Sequence, residues 1–113
     1  MNDELVKIDE LDEELQHKAV RDFAKFYIKL FKHENLEIIA NATNGHFLID
    51  INDLIDRNRH IDLELLVEKS STVSFTQYIK VLEKIDQNYF VTGNAQIPWN
   101  EWETKQQEHL ATA

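Results

Sequence analysis

The sequence predicts an α+β domain in which an N-terminal amphipathic helix packs on an antiparallel sheet, in the order α-β-β-β-α-β-β-α. Three observations lead there. Val20, Phe23, Ala24, Tyr27, Ile28 and Phe31 recur at i, i+3, i+4, i+7, i+8 and i+11, the apolar stripe of a helix. After residue 35 the apolar period changes to two, with Asn44-Gly45 at the centre of the alternating stretch. A second short alternating stretch surrounds Gly93-Asn94.

The first helix is placed at about 10–33. Its polar side carries Lys18, Arg21, Lys25, Lys29 and Lys32, which fall in one stripe at 100° per residue, opposite the apolar one. Ahead of it, residues 3–14 hold seven acidic residues against Lys7 alone, a local charge of −6 (seven negatives, one positive). Residues 1–9 read as an acidic arm.

Asn44-Gly45 suits a type I′ turn, which needs positive φ at both positions. That turn would pair Ala42 with Phe47, Ala40 with Ile49 and Ile38 with Ile51 on the core face. Ile39 with Asp50, and Glu37 with Asn52, would take the outer face. Residues 56–60 read as a polar loop. Ile61, Leu63, Leu65 and Val67 then alternate with Asp62, Glu64, Leu66 and Glu68, giving a third strand. The rival reading of this stretch is a helix starting at Asp53 or Asp62.

Residues 72–86 fit a strand through Val73, Phe75, Ile79 and Val81. They fit a helix better through Phe75, Tyr78, Ile79, Leu82 and Ile85, with Ser74 and Gln77 offering a capping box. Residues 89–92 and 95–97 read as a second hairpin, which Pro98 ends. A last helix follows, with Trp99 and Trp102 as its apolar contacts.

A chain of 113 residues with 42% apolar content fits one domain, residues 1–113. The absence of cysteine removes disulfides and thiolate sites and fits a reducing compartment. No signal peptide or membrane-length apolar run is visible, so the expected location is the cytoplasm, away from membranes.

Five histidines occur without HxxxH or HExxH spacing. Asp50, Asp53 and Asp56 recur every three residues, without the glycine-centred calcium-loop pattern. Ser70, Ser71 and Ser74 lack a nucleophile elbow. The expectation is therefore a protein that is no enzyme and carries neither cofactor nor metal. A small metal-dependent hydrolase, gathering His60 with Asp50, Asp53 or Asp56, is kept as an alternative.

Net charge is −9, which opposes nucleic-acid phosphates and favours a protein partner with a basic surface. The expected contact surface is the outer sheet face: Asp50, Asp62, Glu64 and Glu68, with Leu48 and Leu66 among them. The stripe Lys18, Arg21, Lys25, Lys29 and Lys32 is the second candidate surface. Together with Ile39, the outer leucines predict a homodimer.

The leading functional expectation is a small acidic inhibitor or regulator, a DNA mimic of the anti-defence type. Ile-, Asn- and Lys-rich usage suits a phage or mobile element. The element order also resembles that of class I type III secretion chaperones, and Gly45-His46-Phe47-Leu48-Ile49-Asp50 suits their turn and strand start. That resemblance implies a small, acidic, dimeric binding module.

Overall fold

The computed structural model describes residues 4–33, 36–43, 48–85 and 87–112, excluding the side chains of residues 41, 42 and 109–112. The apolar stripe of the N-terminal half produces helix α1, Glu13–Lys32, close to the expected 10–33. Glu13 and Glu14 occupy its first turn, and Lys29 and Lys32 its last. Both placements complement the helix dipole. Eight of its residues, among them Val20, Phe23, Tyr27 and Ile28, are buried.

The expected first hairpin is replaced by two helices, α2 (Glu37–Thr43) and α3 (Leu48–Arg57). Its Asn44-Gly45 turn lies outside the described residues. The alternation Phe47, Ile49, Ile51 goes no further, since position 53 is Asp. Leu48, Ile51, Leu54 and Ile55 form an i, i+3, i+6, i+7 stripe that only a helix can bury on one side, and all four are buried. Two exposures decide the matter. Ile49, assigned to the core face, is 68% exposed, whereas Ile39, assigned to the outer face, is 0% exposed.

The expected third strand is likewise helix α4, Leu63–Val73, which begins directly after Asp62. This is the rival reading. Its buried set, Leu66, Val67, Ser70 and Ser71, repeats at i, i+1, i+4 and i+5. Two small serines stand where apolar side chains would have displayed the helical period. Helix α5, Phe75–Lys84, agrees with the preferred helical reading of residues 72–86. The capping box does not form, since Ser74 makes no side-chain cap bond.

The second hairpin survives only as a tight turn. Phe90 N–H donates to Asn94 O (2.9 Å), and Gly93 N–H donates to Phe90 O (2.9 Å). Tyr89 forms an isolated bridge with Ala95. Strand β2 (Tyr89–Phe90) pairs instead with β1 (Leu5–Val6), antiparallel, with Leu5 opposite Phe90 and Val6 opposite Tyr89. The segment read as an arm is thus attached to the body. Ile8, in the 3-10 turn Ile8–Glu10, and Leu11 are both buried. Helix α6, Trp99–Thr112, completes the chain.

Six helices and one two-stranded ribbon among the described residues overturn the α+β architecture. The resemblance to secretion chaperones rested on the α-β-β-β-α-β-β-α order and falls with it. What organises the molecule is α1, against which α4, α5 and α6 pack. Phe23 meets Trp99 edge-on at 4.8 Å between centroids, and Phe26 stacks on Trp99 at 5.7 Å. Trp99 and Trp102 meet at 5.5 Å, and Tyr78 lies edge-on to Phe23 and Tyr27. Such pairs add about 0.5–1.5 kcal/mol each beyond burial.

Candidate protein-binding surface

Helix formation over residues 48–57 and 63–73 rearranges the expected contact surface. Leu48 and Leu66 are 4% and 0% exposed and belong to the hydrophobic core with Ile39. The apolar part of the expected surface, and with it the patch that predicted the homodimer, is therefore interior. A sheet register puts alternate residues on the outer face; the helical register turns these same leucines inward.

The carboxylates remain outside. Asp50 is exposed in the first turn of α3. Further along that helix, Asp53 pairs with Arg57 at 2.7 Å and Asp56 with Arg59 at 2.8 Å. Arg59 also lies over the Phe31 ring, 4.8 Å from its centroid. Asp62 and Glu64 are exposed at the start of α4. Glu68 pairs with Arg21 of α1 at 2.5 Å.

That ion pair joins the two candidate surfaces. Arg21, Asp22 and Lys25 of α1 face Glu64 and Glu68 of α4 across a groove of about 450 Å³, floored by Leu63 and Val67. The sequence placed these groups on separate elements with no stated relation. Packing of α4 on α1 makes them opposite walls of one feature. Lys18 is held by Asp22 at 2.8 Å and by Asn94 Oδ1 at 2.7 Å. Lys29 lines a smaller groove, about 230 Å³, with Phe26, Leu30, His33, Asn100 and Glu103. Lys25, Lys29 and Lys32 are exposed and form no ion pair among the described residues.

A feature the sequence left unappreciated is the anchoring of its acidic N-terminal segment. Glu4, Asp9, Glu10, Asp12, Glu13 and Glu14 are all exposed. With Lys7 they give residues 4–14 a charge of −5 (six negatives, one positive). Strand pairing holds one end of the segment and α1 the other. Between them, Glu10 Oε1 accepts from Lys7 N–H at 2.7 Å, and Gln16 Nε2 donates to Ile8 O at 3.1 Å. The available signal was Ile8 and Leu11, three apart within the acidic run.

Two of the serines considered for chemistry have structural partners. Ser70 Oγ and Tyr78 Oη are 2.6 Å apart in the core, and Ser71 Oγ donates to Glu68 O at 3.2 Å. His17 stacks on Phe75 at 4.0 Å between centroids, with Glu13 beside it. Among the described residues, no three His, Cys, Asp or Glu side chains converge as a metal site. Nor is any helix there long and apolar enough to cross a membrane. Burial raises the pKa of the Tyr27, Tyr78 and Tyr89 hydroxyls above the ordinary tyrosine value. Tyr27 donates to Asn52 Oδ1, whereas the buried Tyr89 hydroxyl has no hydrogen-bond partner among the described residues.

No protein-family model, curated protein or solved structure matches this chain.

Proposed function

We propose that this chain is a small acidic protein-binding module, acting by occupancy rather than catalysis, which inhibits or regulates a partner by covering a basic site on it. In this reading it belongs to the phage or mobile-element anti-defence kind, its carboxylates standing in for nucleic-acid phosphates. The single observation that carries the reading is the anchored acidic segment. Carboxylates fixed on a packed frame lose less entropy on binding than those of a free tail, so more of their attraction appears as affinity. Their field also speeds the encounter with a basic surface.

The internal ion pairs add support. All three arginines, Arg21, Arg57 and Arg59, are turned onto the protein's own carboxylates. Arginine is the residue best suited to phosphate recognition, and here its charge is met at home. The surplus that remains is negative, spread over residues 4–14 and over Asp50, Asp62 and Glu64.

The test is affinity capture from the source cell at physiological ionic strength. Wild type is compared with a variant carrying Asp9→Asn, Asp12→Asn, Glu13→Gln and Glu14→Gln, which keeps the structural Glu10. A basic protein retained by wild type and lost from the variant is the expected result. Equal retention by both would overturn the reading.

A further inference from the structure

We infer that the groove between α1 and α4 seats an amphipathic helix of a partner protein, one with acidic residues along one edge of its apolar stripe and basic residues along the other. The groove measures about 450 Å³ and is built from residue pairs one helical turn apart. Arg21 and Lys25 stand on the α1 wall, Glu64 and Glu68 on the α4 wall, and Leu63 and Val67 form the floor. The remaining acidic lining residue, Asp22, is held by Lys18 at 2.8 Å, so the α1 wall stays cationic. The two walls therefore carry opposite signs on either side of an apolar strip.

Half of this charge is already met, since Arg21 pairs with Glu68 at 2.5 Å. Lys25 and Glu64 line the same groove, are exposed, and form no ion pair among the described residues. One cation and one anion thus remain open on opposite walls, with the half-buried Leu63 in the floor.

A helix suits this seat better than an extended chain. An extended peptide presents its own N–H and C=O groups to the floor, where the side chains of Leu63 and Val67 cannot pair them; a helix has already paired its own. Its apolar residues at i and i+4 recur at the spacing of Leu63 and Val67, the usual form of helix-in-groove recognition. Its acidic edge lies along Arg21 and Lys25 and its basic edge along Glu64 and Glu68. Turning the helix end for end would set like charges together, so charge fixes its direction. The seat shares no residue with the acidic segment 4–14, so this inference and the functional reading fail separately.

The test uses three acetylated and amidated peptides of about 15 residues, long enough for measurable helicity. They share one leucine stripe and differ at its edges: glutamate on one and lysine on the other, lysine on both, or glutamate on both. Binding to the full chain is followed by fluorescence anisotropy at about 0.15 M salt, where attraction between distant charges is screened. The net charge of −9 alone would favour the all-lysine peptide, whereas the groove favours the mixed one. The mixed peptide is expected to bind about fivefold tighter than either of the others. Lys25→Gln should reduce its advantage over the all-lysine peptide, and Glu64→Gln its advantage over the all-glutamate peptide, with helix content unchanged by circular dichroism. Tightest binding by the all-lysine peptide, indifference to both substitutions, or no binding by any of the three would overturn the inference.

Discussion

Tyr27, Tyr78 and Tyr89 are the chain's only tyrosines, and all three are 0–1% exposed. Their burial holds the hydroxyls protonated in the folded protein, while in the unfolded chain each titrates near pH 10. Above that pH the unfolded state binds fewer protons, so the stability change with pH is negative. These groups leave stability unchanged below about pH 10 and lower it as pH rises further. Tyrosinate absorbance should therefore appear together with the loss of helical circular dichroism. A tyrosine that ionises near pH 10 with the helices intact would contradict the burial. The hydroxyls also differ from one another. Tyr78→Phe leaves Ser70 without its partner and should cost about 1 kcal/mol in urea unfolding. Tyr89→Phe removes an unsatisfied group and should be neutral or stabilising. Gly93, at φ +92°, lies in the left-handed region, and a Cβ there would meet Leu15 and Lys18 at 3.4 Å. Gly93→Ala should therefore lower stability by about 1 kcal/mol, measured in the same way.

Among the elements, α4 separates the helical account from the alternating one most cleanly. Leu65 and Leu66 are neighbours, 60% and 0% exposed. The strand reading placed Leu65 inward and Leu66 outward. Leu66→Ala should cost about 2–5 kcal/mol, as for a buried leucine, and Leu65→Ala less than about 0.5 kcal/mol. The reverse order would restore the strand. These neighbours also explain how far the sequence could be read. Helices α1 and α5 were legible because aromatic and aliphatic residues repeat at helical spacing over at least ten positions, and α6 was legible from Trp99 and Trp102 after Pro98. Helix α3 was not, and α4 was legible only as the rival to a third strand. Over six residues, alternation and helical spacing share too many positions, and the inward serines of α4 hid its period. Strand β2 was half legible: local sequence marks the turn at Gly93, but its partner β1 lies more than eighty residues away. The candidate surface suffered with the register. Its charges were legible because charged residues stay outside in either fold, whereas Leu48 and Leu66 were misplaced because their direction depends entirely on which fold forms.

For the whole molecule, the functional claim is electrostatic, and its consequences are kinetic before they are energetic. Isolated exposed ion pairs contribute at most about 1 kcal/mol each, so no single carboxylate should dominate affinity. A fixed group of them instead raises the rate of encounter, and salt screens that effect over about 8–10 Å at ordinary ionic strength. The acidic residues of the 4–14 segment should act together, with Asp62 and Glu64 extending the field along α4. The most direct measurement is the association rate of the captured partner, followed by stopped flow across a series of salt concentrations. Wild type and the four-carboxylate variant are compared after circular dichroism shows equal helix content. The account expects a rate that falls steeply with salt for wild type, and a slower rate with a shallower salt dependence for the variant. Equal rates with equal salt dependence would contradict it.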